Sequence, residues 1–180
     1  MHNYQDLITI FNNCFAVEYN TRLIKGETEP LYVPANANQP YHAIFFAHGF
    51  FASALHECAH WLIAGDARRK LEDFGYWYVP DGRTALQQEQ FMRVEVKPQA
   101  MEWILSQATG HRFRVSSDNI NGVNGAESDV TAFKQAVYQQ VKEYCEQGLF
   151  VRAEIFRNAL CHFYGTPFGL KIADFNRTTI

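Results

Sequence analysis

Cysteine is scarce and scattered in this 180-residue chain: Cys14, Cys58, Cys145 and Cys161 form no C-x-x-C pair. That spacing argues against a thiolate zinc site and a disulfide framework, and it fits reduced thiols in a cytoplasm. Positive charge is not in excess either, with 16 Lys and Arg against 19 Asp and Glu and a formal net charge of -3. Modules that grip nucleic acid by broad charge are strongly basic, so no nucleic-acid partner is expected. No apolar run approaches the ~18 residues of a membrane span, so no membrane partner is expected. The opening Met1-His2-Asn3-Tyr4-Gln5-Asp6 lacks the basic-then-apolar signature of a signal peptide. Internal repeats, low-complexity tracts and a Gly/Ser/Pro-rich linker are missing too. The expectation is one cytoplasmic domain over residues 1–180.

Apolar material is plentiful. At 47% hydrophobic and 15% aromatic, the chain can offset its ordering entropy, which excludes a wholly disordered protein. Asn3 caps an expected first helix in which Leu7, Ile8, Phe11, Cys14 and Phe15 recur at helical spacing. Leu31-Tyr32-Val33 reads as a short extended piece between prolines, and Tyr41 to Ala47 as a strand ending at His48-Gly49. Phe51 to Ala64 is the clearest central helix, with Gly65 as its stop. Phe74 to Tyr78 and His111 to Val115 are further strand candidates. Thr84 to about Val94 has helical composition, and Pro98 places a boundary at Lys97 and opens a new helix to about Ala108. Asp118 to Ser128 reads as a polar loop. Two closing helices carry stripes of Phe133, Val137, Val141 and Tyr144, then Ile155, Phe156, Ala159, Leu160 and Phe163. The fold class is α+β, mostly helical with a few short strands.

The central helix contains His56-Glu57-Cys58-Ala59-His60, an H-E-x-x-H. Residues at i and i+4 share a helix face, so both imidazoles can reach one metal ion. Glu57 is placed to orient a metal-bound water or to support a ligand from behind. Chance gives roughly 0.02 such motifs in this composition, and the match falls inside an independently expected helix. The metal site would therefore sit on a central H-E-x-x-H helix, a gluzincin-like arrangement. Cys58 points elsewhere and reads as a small buried hydrophobe.

Two imidazoles rarely suffice. After His60 the chain continues Trp61-Leu62-Ile63-Ala64-Gly65, which excludes the metzincin extension H-x-x-G-x-x-H. Glu95 and Glu102 are the best downstream carboxylates. If Thr84 to Glu95 is helical, Glu95 shares a face with Phe91 and Val94 and points an acid toward the core, where a divalent metal would neutralise it. If the segment is a strand, Glu95 alternates with Arg93 and Lys97 on a charged face. Periodicity leaves both readings open.

Several stretches resemble the elongation factor P hydroxylase family. They are Ala47-His48-Gly49-Phe50, Leu55-His56-Glu57-Cys58-Ala59-His60-Trp61, Phe74-Gly75-Tyr76-Trp77-Tyr78, Pro80-Asp81-Gly82-Arg83 and Val94-Glu95-Val96-Lys97-Pro98-Gln99-Ala100. Asn20 to Gly26 extends the resemblance toward the start, and it weakens after about Asn119. The resemblance implies a cytoplasmic bacterial enzyme that hydroxylates the β-lysyl-modified lysine of translation elongation factor P. It also implies a mononuclear metal held by two histidines and a carboxylate, carried onto His56, His60 and Glu95. Such a set leaves open positions for dioxygen, as in non-haem Fe(II) oxygenases, and C–H hydroxylation needs a redox-active metal. No 2-oxoglutarate clamp is evident.

For a long cationic substrate chain, Tyr76, Trp77 and Tyr78 are candidates for an apolar slot wall, with Asp73 or Asp81 facing an ammonium group at its far end. Arg68-Arg69-Lys70 is a candidate rim for an acidic partner, or only a solvated face. His48 suits a turn, and His111 and His162 suit core or surface positions. The rival functional reading is a zinc metallohydrolase, most simply a peptidase, with Glu57 as general base. A third is a non-catalytic binding protein whose two histidines only staple the core.

Overall fold

A computed structural model describes residues 2–76, 82–117 and 130–180. Helix α1 (Tyr4–Phe15) starts at Asn3, whose side chain accepts from the Gln5 N–H, as the capping rule anticipates. Strands β1 (Thr21–Lys25), β2 (Leu31–Val33) and β3 (His42–Phe46) form one sheet in the order β1-β3-β2. β3 is central, parallel to β1 and antiparallel to β2. β1 escaped the sequence reading because Arg22 and Lys25 break its apolar run. It nevertheless alternates, burying Thr21 and Leu23 and exposing Arg22. Asn12 ties it to α1 by accepting from the Leu23 N–H at 2.8 Å.

Helix α2 (Phe51–Ile63) runs through the middle of the core. Ala54, Leu55, Cys58, Ala59, Trp61 and Leu62 are buried, with Trp61 among the rings of Phe11, Phe15 and Tyr19. Its carboxyl end is held by two cations. Arg152 donates to the Trp61, Leu62 and Ala64 carbonyls at 3.2, 3.0 and 2.7 Å, and Arg69 to Ala64 at 2.8 Å. These bonds satisfy carbonyls that no further turn can satisfy, and they place positive charge at the negative end of the helix dipole.

Helix α3 (Ala85–Thr109) corrects the expected break at Lys97. It runs unbroken for 25 residues with Pro98 inside and buried. A proline in a helix interior costs ~3 kcal/mol, and burial along this helix outweighs that local preference. Thr84 opens it with a full capping box through Gln87. Helices α4 (Val130–Gln147) and α5 (Val151–Tyr164) close the core. The α4 stripe is as expected. On α5 the buried face is shifted: Ala153, Phe156, Arg157, Leu160 and Cys161 are buried, while Ile155 and Phe163 are exposed.

Two expected strands are absent among the described residues. Residues 111–117 pair with no strand. Gln99 instead supplies a rung from α3, donating to the Ser116 carbonyl at 2.7 Å and accepting from its N–H at 3.1 Å. Glu72–Gly75 is a short 3-10 turn, in which Asp73, Phe74 and Gly75 all have positive φ of 44°, 57° and 71°. That left-handed stretch buries Phe74 against Tyr32, their rings stacked 4.2 Å apart. The polar loop expected at Asp118 to Ser128 lies outside the described residues, as do Trp77, Tyr78 and Asp81. Among the described residues no helix is long and apolar enough to cross a membrane.

Candidate metal centre

The i,i+4 spacing on α2 turns His56 and His60 toward α3, as the motif requires, and their Nε2 atoms lie 3.1 Å apart. α3 brings Glu95 between them. Its Oε1 is 3.2 Å from His60 Nε2 and its Oε2 is 3.4 Å from His56 Nε2. These three residues form the group of His, Cys, Asp or Glu side chains, among the described residues, with ligand atoms close enough to share an ion, all within 4.8 Å of one another. Bonds of about 2.1 Å to one ion set donor–donor edges of about 3.0 to 3.4 Å in octahedral or tetrahedral geometry. The two imidazole nitrogens are separated by such an edge, each lies at a similar distance from one oxygen of Glu95, and the helical reading of Glu95 is the one realised. Glu95 is 2% exposed, and a buried carboxylate between two imidazoles is the donor set a divalent ion needs.

Glu102, the other carboxylate weighed as a third ligand, contacts the far nitrogen of His56 instead of joining the cluster. It is 8% exposed, and its Oε2 lies 2.9 Å from His56 Nδ1. Seven residues separate it from Glu95, which puts both on one face of α3 only because the helix passes through Pro98. A carboxylate on Nδ1 sets the tautomer so that Nε2 presents its lone pair to an ion. The i,i+7 spacing of the two acids was the available signal.

Electrostatics follow from this packing. Burial pulls the His56 pKa down, but Glu95, the hydrogen-bonded Glu102 and Glu57 outweigh it and push it up to about 10. Burial raises Glu95, yet the charges of His60 and His56 hold it at about 2. Burial raises Glu57 and Glu102 above the usual carboxylate range. Glu57 is half-buried beside the histidines and makes no hydrogen bond or ion pair among the described residues.

Around this cluster the other expected residues divide. Asp73 lies within electrostatic reach of His60 and Glu57, but one of its oxygens is spent on the Tyr32 N–H at 2.7 Å. Phe74 lies parallel to the His60 ring with centroids 6.2 Å apart. Tyr76 is half-buried under the Arg68 guanidinium, 4.1 Å away. The basic run is partly tied to its own fold: Arg68, though exposed, donates to the Phe74 carbonyl at 2.9 Å, and Arg69 caps α2 and pairs with Asp66. Lys70 is exposed. His48, at φ 54°, occupies the turn after β3, His111 packs edge-on against His2, and His162 is exposed.

Fold and site together define a small helical α+β protein with a candidate mononuclear centre of two histidines and one glutamate. Residues 10–175 match the model of the family described as elongation factor P hydroxylase, and the chain belongs to that family. A curated relative, the elongation factor P lysine hydroxylase of Haemophilus influenzae, is 59% identical over 179 residues, covering 99% of each chain. The peptidase reading finds no support in these comparisons.

Proposed function

We propose that this enzyme hydroxylates the β-lysyl-modified lysine of translation elongation factor P, using dioxygen as co-substrate. The observation that carries the reading is the convergence of ligand atoms from His56, His60 and Glu95 to within 4.8 Å of one another, in a chain of this family. These three residues would hold a mononuclear Fe(II), in the gluzincin-like arrangement anticipated from the motif. The ion would supply the redox chemistry that C–H hydroxylation requires: one oxygen atom enters the C–H bond and the other leaves as water, with two electrons and two protons drawn from an external reductant. Residues 1–180 act as one catalytic unit in the cytoplasm.

The remaining roles belong to the protein's own side chains. Glu102 orients His56 through Nδ1. Glu57, whose pKa burial raises, is the general acid–base group beside the ligands. The free oxygen of Asp73 faces the substrate ammonium group, with Asp81 sharing that role. Tyr76, Trp77 and Tyr78 form the slot wall for the aliphatic chain. Intact-mass analysis of β-lysylated elongation factor P, incubated with this protein and Fe(II) in air, tests the proposal. A gain of one oxygen atom is expected. An unchanged mass, or peptide cleavage with zinc bound, would overturn it.

A further inference from the structure

The shifted face of α5 buries an arginine. Arg157 is 4% exposed, and its Nη1 donates to the Phe168 carbonyl at 2.7 Å. Its Nε is buried with no hydrogen-bond partner, and no carboxylate among the described residues lies within ion-pair distance of it. A guanidinium stays ionised in proteins, and a buried charge without a counter-ion is costly. The fold therefore carries a largely buried positive charge with no ion-pair partner among the described residues.

The same side chain lines a cavity of about 280 Å³ between the last turn of α3, α5 and the segment that follows it. Gln107 and Lys171 add donors to its lining, Phe175 adds an apolar face, and Asp174 is the one acid on its wall. A cavity of that size holds a small organic molecule or a hydrated inorganic ion. None of His56, His60, Glu57, Glu95 or Glu102 lines it, so it stands apart from the metal centre.

We infer that this cavity binds a small oxyanion, a carboxylate or a phosphate, whose charge Arg157 neutralises. Arginine suits that role because its planar fork matches the two oxygens of either group. Lys171 draws the anion in from the rim, and Asp174 opposes it. The inference is independent of the hydroxylase reading.

The test is calorimetric titration of the full, metal-loaded chain with inorganic phosphate and separately with succinate, at fixed ionic strength. Saturable binding at one site is expected for at least one probe, and the tighter probe identifies the group. Arg157→Met should weaken it about tenfold or more, the scale of a lost charged hydrogen bond. Asp174→Asn should tighten it several-fold. If Arg157→Met does not fold, Lys171→Ala on the exposed rim carries the test, with weakening expected there and tightening in Asp174→Asn. Binding must persist in the double variant His56→Ala/His60→Ala, which removes the metal site. Three results would each overturn the inference: no saturable binding of either probe, an isotherm indifferent to these cavity substitutions, or binding that vanishes with the metal site.

Discussion

His56 is the most heavily acted-on side chain of the centre, because three carboxylates press on one imidazole. Its roles separate by atom: Nε2 faces His60 and Glu95, and Nδ1 faces Glu102. Substitution should separate them too. His56→Ala, His60→Ala and Glu95→Gln are each expected to lose stoichiometric metal with the fold largely intact. Glu102→Gln should retain a full equivalent, bound about 10- to 100-fold more weakly. Metal content after dialysis against graded chelator measures both; a Glu102→Gln protein without metal beside a Glu95→Gln protein with it would reverse the assignment. A pH dependence follows as well. His56 is raised to about 10, so its contribution to metal-free stability is full below ~6.5 and is lost as pH rises through about 10. Glu95 is lowered to about 2, so its contribution is full above ~4.3 and is lost as pH falls through about 2. The cluster should stabilise the metal-free protein most between ~4.3 and ~6.5. Metal uptake must displace the His56 proton, so affinity should climb from neutral pH toward 10, with proton release visible by calorimetry in buffers of different ionisation enthalpy. Chemical denaturation across the pH range checks the first expectation, and a pH-independent affinity would contradict the second.

Helices α2 and α3 make the centre, and each is held in place by contacts remote in sequence. α2 ends on the guanidinium of Arg152, 88 to 91 residues away along the chain. Arg152→Met keeps the stem that packs near Trp61 but takes this donor from the Trp61 and Leu62 carbonyls, while Ala64 keeps Arg69. It should cost about 2 to 3 kcal/mol by urea denaturation, and a loss under 0.5 kcal/mol would mean that water replaces the clamp. The left-handed turn at Asp73, Phe74 and Gly75 seats Phe74 beneath His60. A Cβ on Gly75 would lie 2.8 Å from Leu71 Cδ1, at a φ that side chains rarely adopt. Gly75→Ala should therefore cost about 1 to 3 kcal/mol and loosen the metal, read by melting of the loaded and unloaded forms. Sequence periodicity could not foresee this turn, since Phe74-Gly75-Tyr76 has strand composition and only burial under Tyr32 and His60 selects the left-handed form.

For the molecule as a whole, recognition of the partner separates from chemistry. Arg69 serves α2 and Arg68 covers Tyr76, but Arg68 and Lys70 are both exposed and are the members of the basic run able to meet acidic surface. Intact elongation factor P is expected to be hydroxylated far more efficiently than a short β-lysylated peptide, because the peptide forgoes any docking surface. Equal kcat/KM for the two would remove docking and leave only the slot. The H-E-x-x-H face, the cap at Asn3, the α4 stripe and the mostly helical class were legible in the chain, because each depends on residues within a turn or two of one another. The continuity of α3 through Pro98, the turning of Glu102 onto His56, the Arg152 clamp and the burial of Arg157 were not. Each sets a local preference against contacts between segments many residues apart, and only the packed chain brings those segments together and lets the larger energy prevail.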